Sequence, residues 1–542
     1  MLGCSKLIGL RMERLAGRIM LSSGLRRAFL GFLAGLVTVL ALPPFNIFAV
    51  PFLTFPVLVW LLDGTSGQPE HGALRRALPA FSLGWFFGFG YLLGSLWWLG
   101  NALLVEADTF AWALPFAVVG LPAVLAIYYG LAAFVARLLW SDGVGRIAAL
   151  SVAFAGAEWL RGVMFTGFPW NAVGMAAMPV PLLMQSLSLV GMIGMNLLAV
   201  FVYAAPALIG TRKGMGVGLA ISAGLVAAHL GYGAYRLHQA PLPAAEPQAM
   251  VRIVQPVIDQ ARKLDDTERA SVFEAHLALS AAPPENGGKR PDIIVWPETA
   301  VPFILTDNPD ALTRIADVLQ DGQLLVTGAV RTEDAGAGLP PRYYNSVYVI
   351  DDRGQIVGAA DKVHLVPFGE YLPFEDLLSR MGLSAIAASM PGGFSSAATR
   401  TILTLPGGRT LYPLICYEAI FPNEIGSDAL STGALLNITN DAWFGDTPGP
   451  YQHFQQARLR AVENGVPMIR AANSGISAVI DAQGNVVSGL SLGERGFFDT
   501  ILPGRAALVA APEQQRRHAF VLVLFLMVCA LISRFGFVFR RN

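Results

Sequence analysis

Residues 411–418 read LYPLICYE, an apolar run that closes on a cysteine, an aromatic and a carboxylate. The residues ahead of Cys416 form a short buried strand, and in α/β folds the reactive groups stand at strand ends. Cys416 is therefore a candidate nucleophile. Cysteine is also among the residue types most often simply packed, so its company has to decide.

Two upstream segments supply that company. Residues 292–295 (DIIV) run straight into Trp296-Pro297-Glu298-Thr299. The proline ends the strand and leaves Glu298 at its tip, where a general base is placed. Lys362 opens an apolar loop, DKVHLVPFGEY over 361–371, and Glu370 follows eight positions later. Taken singly, Glu298 is a turn carboxylate and Lys362 a surface charge. Together with Cys416 they supply a base, a cation and a nucleophile.

Outward from these segments the pattern alternates. Strand-like runs occupy 250–258, 324–330, 344–350, 355–359, 434–438 and 477–480, and helical spacing appears over 266–280 and 451–464. Asp352-Arg353-Gly354 and Asp481-Ala482-Gln483-Gly484 read as hairpin turns after Val/Ile-rich runs. The predicted domain is an α/β sandwich rather than an all-β fold.

That domain, 238–512, is only half of the chain. Over 542 residues the composition is 54% hydrophobic and 14% charged, against about 25% charged in a soluble domain, and the mean hydropathy is +0.52. A bilayer is implied. Basic and acidic residues balance at 38 each, which gives no reason to expect nucleic acid as a partner. Apolar runs near 25–42, 45–62, 78–99, 112–136, 146–160, 183–209 and 214–233 predict seven helices within 25–235, and an eighth spans 518–535. The run at 146–160 is the weakest, because it ends in Glu158 and Arg161.

Basic residues set the orientation. They crowd the tail 1–24, recur at Arg75 and Arg76, at Arg137 and Arg146, and at Arg212 and Lys213, and are sparse in the loops between. Both termini, including 536–542, are therefore expected in the cytoplasm, with 238–512 outside. Arg516 and Arg517 run against this pattern. No small-residue cleavage site follows the first apolar run, which is read as a span and not as a signal peptide. Of the three cysteines, Cys4, Cys416 and Cys529, only Cys416 lies in the outer domain, so no disulfide can form within it. A lone thiol in an oxidising compartment points to chemistry.

WPET with Glu298, DKVHLVPFGEYLPF with Lys362 and Glu370, and ICYE with Cys416 resemble, in this order, the Glu-Lys-Cys set of the nitrilase, or carbon–nitrogen hydrolase, superfamily. With the predicted topology, and with EWLR at 158–161, TGFPWN at 166–171 and NITNDAWFG at 437–445, the chain from about 25 to 535 resembles the apolipoprotein N-acyltransferase family of the bacterial inner membrane. It departs from that pattern at Pro256-Val257-Ile258, where Gly-Asn-Ile is usual after Gln255, and at Leu264, where a tryptophan usually follows Lys263.

The resemblance implies an αββα nitrilase-like sandwich on the periplasmic side and a two-step acyl transfer. A phospholipid such as phosphatidylethanolamine would acylate Cys416. The amino group of an S-diacylglyceryl apolipoprotein would then take the chain from the thioester. Glu298 would act as base, Lys362 would stabilise thiolate and oxyanion, and Glu370 would orient them. Tyr417 would offer a backbone N–H to the oxyanion, and Glu418 would position the loop or the amine. Phe368, Tyr371, Phe374, Trp443 and Phe444 are candidate lid or lipid-entry residues. No cofactor is implied: metal spacing and a phosphate-cradling loop are both missing from the sequence, and His364 reads as a loop residue. Arg458, Arg460, Glu463 and Arg470 are expected to form a structural ion network, and Glu158 to pair with Arg161.

Two other readings compete. A membrane-anchored amidase would share the domain but needs one span, not seven. A transporter with an accessory domain would need more charge inside the bundle than Glu158 and Arg161.

Overall fold

A computed structural model describes residues 2–65, 67, 70–242, 248–284, 287–336, 338–373, 380 and 393–539. The chain divides into two compact units, Met1–Gln239 with Val509–Asn542, and Ala240–Leu508.

In the first unit, seven helical stretches among the described residues are long and apolar enough to cross a membrane: Gly24–Ala41, Ala73–Leu104, Ala107–Leu138, Val144–Thr166, Leu187–Gly210, Met215–Leu237 and Pro512–Gly536. The run expected at 45–62 yields a shorter helix, Pro51–Asp63, of 13 residues. Pro43 and Pro44 lack backbone donors and Asn46 sits at φ 55, so turns fill the residues before Pro51. At 1.5 Å per residue the helix covers about 20 Å, against about 30 Å of hydrocarbon. Eight predicted spans thus become seven long ones and one short one, whose Phe55, Leu58, Val59 and Leu61 are buried. The basic tail is itself helical over Leu2–Met20.

Small residues let these helices touch at backbone distance. A Cβ on Gly35 would fall 1.9 Å from the Phe87 carbonyl oxygen, and one on Gly84 would fall 2.5 Å from that of Tyr129. The weak helix at 146–160 is real, Val144–Val163. Its two charges neutralise each other as expected: Arg161 pairs with Glu158, donates to the Phe168 and Trp170 carbonyls at 2.6 and 2.8 Å, and Tyr129 Oη donates to Glu158 at 2.7 Å.

The second unit holds twelve strands among the described residues: β1 (Met250–Gln255), β2 (Ile293–Val295), β3 (Leu324–Glu333), β4 (Arg342–Ile350), β5 (Ile356–Asp361), β6 (Leu403–Thr404), β7 (Thr410–Ile415), β8 (Ala434–Thr439), β9 (Met468–Ala472), β10 (Ser477–Ile480), β11 (Val486–Leu490) and β12 (Gly496–Ile501). They form two six-stranded sheets, ordered β12-β1-β2-β3-β4-β5 and β11-β10-β9-β8-β7-β6. β1, β2 and β3 run parallel, as do β7, β8 and β9; the remaining pairs are antiparallel.

The two sheets face each other across one core, with Val251, Ile253, Val295, Val326 and Val347 on one side and Leu411, Ile415, Leu436, Ile438 and Ile469 on the other. The outer face of the first sheet is covered by helices Arg269–Ala281 and Pro309–Val318 through Phe273, Leu277 and Ile315. That of the second packs against helix Pro448–Asn464 through Ala457 and Ala461. The result is an αββα sandwich, as the sequence predicts. Strands buried on both faces read as continuous apolar runs rather than alternating ones, which is the character of IIV in β2 and TLYPLI in β7. Both predicted hairpin turns are present. Asp351 Oδ1 accepts from Arg353 N and Gln355 N at 3.0 and 2.8 Å, and Asp481 Oδ1 accepts from Gln483 N and Asn485 N at 2.8 and 2.9 Å. Gly354 and Gly484 take the left-handed position each turn requires, at φ 74 and 87.

Candidate active site

Cys416 follows β7 directly and opens a short 3-10 turn, Cys416–Ile420. Its φ of 51 is a conformation non-glycine residues rarely adopt. The chain thus turns sharply at the candidate nucleophile, at the carboxyl end of a parallel strand. Asn437 Nδ2 and His453 Nε2 fix its carbonyl, at 3.4 and 3.1 Å.

Glu298 arrives from the end of β2. Its turn is pinned to β3 by hydrogen bonds from Trp296 N to Val326 O, Gly328 N to Pro297 O and Ala300 N to Gly328 O, at 2.9, 3.1 and 3.0 Å. Gly328 has no side chain because there is no room for one: a Cβ would lie 2.6 Å from Glu298 Cα. Glu298 is 6% exposed. Oε1 accepts from Asn345 Nδ2 at 2.7 Å and faces Lys362 Nζ at 3.5 Å; Oε2 accepts from Asn440 N at 3.0 Å.

Lys362 follows β5 and is anchored to β4 by its N–H to Asn345 O, 2.8 Å. Its buried ammonium donates to Glu370 Oε1 at 2.9 Å. Glu370 in turn accepts from Asn345 Nδ2 at 2.8 Å and from Val366 N at 2.7 Å. Asn345 therefore links both glutamates that face the lysine.

The electrostatics follow. Burial pushes the Cys416 thiol well above its ordinary range; the Glu298 carboxylate pushes the same way, while Lys362 and the Thr439 hydroxyl pull it down. Burial disfavours the Lys362 ammonium, but Glu370 and Glu298 outweigh it and hold the charge firmly on. A second lysine, Lys263, donates to Glu298 O at 3.0 Å and to Thr299 Oγ1 at 2.9 Å. Burial lowers it to about 8, against the pull of Glu298 and Cys416.

Glu418 is fully buried and ties the lysine loop to the cysteine turn. Oε1 accepts from Val363 N and His364 N at 2.8 and 3.0 Å; Oε2 accepts from Ile415 N and from an Arg400 Nη, both at 2.6 Å. Burial opposes its charge, and Arg400 with these donors overcomes that, so its carboxyl lies below the usual range. The Tyr417 ring packs edge-on to His364 and Phe421, and His364 Nδ1 lies 2.5 Å from Glu424.

Of the candidate lid residues, Phe368 is 61% exposed at φ 63, and Tyr371, Trp443 and Phe444 are half-buried. Phe374 lies outside the described residues. The four residues expected to form an ion network around helix Pro448–Asn464 make the following contacts. Arg460 pairs with Glu463 at 3.1 Å, Arg458 donates to the Gly484 carbonyl, and Arg470 belongs to the catalytic side, bound to Asp441 at 2.7 Å.

Reading the residues in order leaves Asn345, Lys263, Arg400, Thr439, Asp441 and His453 unassigned. Asn345 had a signal, since asparagine is depleted in strands and stands here inside YYNSVYV. For Lys263 and Arg400 no local pattern exists; only the fold brings them in. Among the described residues no group of His, Cys, Asp and Glu has a metal-holding arrangement.

The comparisons with known proteins cover both units. The family described as Carbon-nitrogen hydrolase matches residues 250–504, and Apolipoprotein N-acyltransferase N-terminal domain matches 34–205. Curated relatives named apolipoprotein N-acyltransferase include those of Rhizobium meliloti, 68% identical over 532 residues, Sinorhizobium fredii, 67% over 531, and Agrobacterium fabrum, 59% over 531; each alignment covers 98% of this chain and all of the relative. A solved amidase from Nesterenkonia sp. aligns with 49% of this chain and 94% of its own at 19% identity and a TM-score of 0.34, a level at which only the relatives carry weight. With two thirds of its residues identical over 98% of its length, the chain belongs to the apolipoprotein N-acyltransferase family.

Proposed function

We propose that this protein N-acylates the N-terminal S-diacylglyceryl cysteine of apolipoproteins, drawing the acyl chain from a phospholipid, phosphatidylethanolamine or one like it, through a thioester on Cys416. What supports the reading is that a carboxylate, Glu298, and an ammonium, Lys362, set 3.5 Å apart, both act electrostatically on one buried thiol, Cys416, in a chain whose other unit is a bundle of apolar helices long enough to cross a membrane.

In the first half-reaction Glu298 takes the thiol proton, and the thiolate attacks the ester carbonyl of the phospholipid. The carbon–sulfur bond forms, the ester carbon–oxygen bond breaks, and Glu298 returns its proton to the departing lysophospholipid oxygen. Lys362 and the Tyr417 N–H balance the charge on the tetrahedral oxygen, a role in which one lost donor costs about 10²–10³ in rate. In the second half-reaction Glu298 deprotonates the acceptor ammonium, and the amine attacks the thioester. The amide forms and keeps one N–H, the carbon–sulfur bond breaks, the amine's other proton passes to the sulfur, and Glu298 sheds the ammonium's proton to solvent, which restores both carboxylate and thiol. Glu370 and Glu418 act through Lys362 and the cysteine turn.

Two further assignments go with this reading. Phe368, Tyr371, Trp443 and Phe444 form an apolar cover that keeps water from the thioester and favours a lipid-borne amine. The catalytic unit faces the periplasm and both termini the cytoplasm; alternation of basic loops supports this, and it requires the segment 43–63, in which only Pro51–Asp63 is helical, to complete the second of seven crossings.

Intact mass after incubation with phosphatidylethanolamine and no acceptor tests the reading. Wild type should gain one acyl group, labile to hydroxylamine and discharged by a diacylglyceryl-cysteine peptide, while Cys416→Ser gains none. Hydrolysis of small amides with no adduct would instead make the protein an anchored amidase.

A further inference from the structure

The Cys416 sulfur has a neighbour that this reaction leaves unused. Thr439, the last residue of β8, brings Oγ1 to 3.2 Å from Sγ and to 3.0 Å from Asp441 Oδ1. Thr439 and Asp441 are buried with it. A hydroxyl carries one proton and two lone pairs, so Thr439 can donate to only one of these partners at a time.

Which one depends on where the negative charge is. Asp441 is held ionised, at about 2, burial notwithstanding, by Arg470 and His453, whose nitrogens lie 2.7 and 2.8 Å from its oxygens. A charged acceptor outcompetes a neutral sulfur. While Cys416 is a thiol, the hydroxyl therefore donates to Asp441 and accepts the S–H. Once the sulfur is a thiolate it has no proton to give and becomes the charged acceptor, whereas Asp441 retains Arg470 and His453. The other charged groups acting on this sulfur are Glu298 after β2, Lys362 after β5 and Lys263 of helix Gln260–Leu264. None of them can reverse its hydrogen bond as a hydroxyl can.

We infer that Thr439 is a further catalytic residue, whose hydroxyl donates to Asp441 when Cys416 is a thiol or thioester and turns to donate to the sulfur whenever it is a thiolate. Only the O–H bond rotates. The sulfur proton goes to Glu298 and Thr439 keeps its own, so no charge is transferred through it. The same turn serves twice, at activation of the thiol and at its release from the thioester. The anchored Cys416 carbonyl keeps the residue still meanwhile. The inference rests on Cys416 being the nucleophile.

Alkylation of Cys416 by iodoacetamide, read by peptide mass across neutral and alkaline pH, tests it without lipid substrate. Thr439→Val keeps the shape and removes the donor; its alkylation at neutral pH should fall roughly 10- to 100-fold, the range for a hydrogen bond to a charged group, with the profile displaced to higher pH. Thr439→Ser should restore the rate to within about threefold, since it restores the hydroxyl. A valine variant that follows the wild-type profile overturns the inference. If that variant does not fold, the infrared S–H band of wild type decides, isolated by difference against Cys416→Ser: a band below the free-thiol frequency supports the S–H to hydroxyl bond, and one at that frequency overturns it. A wild type that takes no acyl group from phospholipid overturns the nucleophile assignment instead, and leaves both of these readouts to answer for Thr439.

Discussion

Glu418→Gln replaces one carboxylate oxygen by an amide at nearly constant volume. Four donors now converge on that side chain, two on each oxygen. Glutamine has one acceptor oxygen, so whichever way it sits two donors face an NH₂ group. Turned to keep the Arg400 guanidinium paired, it confronts the N–H groups of Val363 and His364. A buried donor without an acceptor costs about 1–3 kcal/mol, so the pair costs about 2–6 kcal/mol, a large share of a stability of about 5–15 kcal/mol. The melting temperature should drop by on the order of 10 °C. Because the two stranded N–H groups directly follow Lys362, the repulsion also displaces the ammonium. A misplacement of about 1 Å costs about 100-fold in rate. Thermal unfolding in detergent, paired with an intact-mass time course of Cys416 acylation, measures both effects. Glu418→Ala, which strands Arg400 as well, should be worse on both counts. A glutamine variant that melts and acylates like wild type would refute the claim that this carboxylate couples the lysine loop to the cysteine turn.

Gly328→Ala should cut acylation by about 100-fold or more, because the added Cβ, 2.6 Å from Glu298 Cα and from Pro297 O, can be accommodated only by moving the base; a crystal structure of the variant with Glu298 unmoved would contradict this. Lys263→Met should slow acylation several-fold at neutral pH, by loosening the Glu298–Thr299 turn and removing a positive charge near the thiolate. Lys263 titrates at about 8, so wild type loses that charge as pH rises past this value, and the electrostatic part of the gap in a pH–rate comparison should close there. Asp441, held at about 2, is below its ordinary carboxylate range, so it contributes stability that is present above about pH 4 and lost as pH falls toward 2; acid unfolding curves should show this loss in wild type and a shallower one in Asp441→Asn.

Residues whose place follows from chain position were legible in the sequence. Cys416, Glu298 and Lys362, the proposed site residues, each stand after a strand, and β2 and β7, buried on both faces, leave continuous apolar runs that end just before the first two. The sandwich, its hairpin turns and the Glu158–Arg161 pair were legible for the same local reasons. Strands β6, β9, β11 and β12 were not: β9 carries Arg470 in its middle, β6 has two residues, and β11 and β12 are partly exposed, so none shows a clean apolar run. The short helix Pro51–Asp63 was overextended because hydropathy does not register backbone turns, such as the one at Asn46, φ 55, among the apolar residues before Pro51. Arg400, Lys263 and His453 were illegible because their meaning lies in tertiary contacts, to Glu418, to the Glu298 turn and to the Cys416 carbonyl, that no local pattern marks; Asn345 was marked only as an asparagine inside a strand.

The two sheets repeat one plan. Three parallel strands are followed by an antiparallel hairpin, first in β1 to β5 and again in β7 to β11. In the reading proposed above, labour is divided between the copies: the base and the cation belong to the first, the sulfur and its hydroxyl partner to the second. Neither copy is an active site by itself, so the thiol works as a gauge of how the copies are aligned. A substitution in the shared core that slides one sheet over the other by a fraction of an ångström, at Val295 or Ile438 for example, would be registered first as lost chemistry and only later as lost folding.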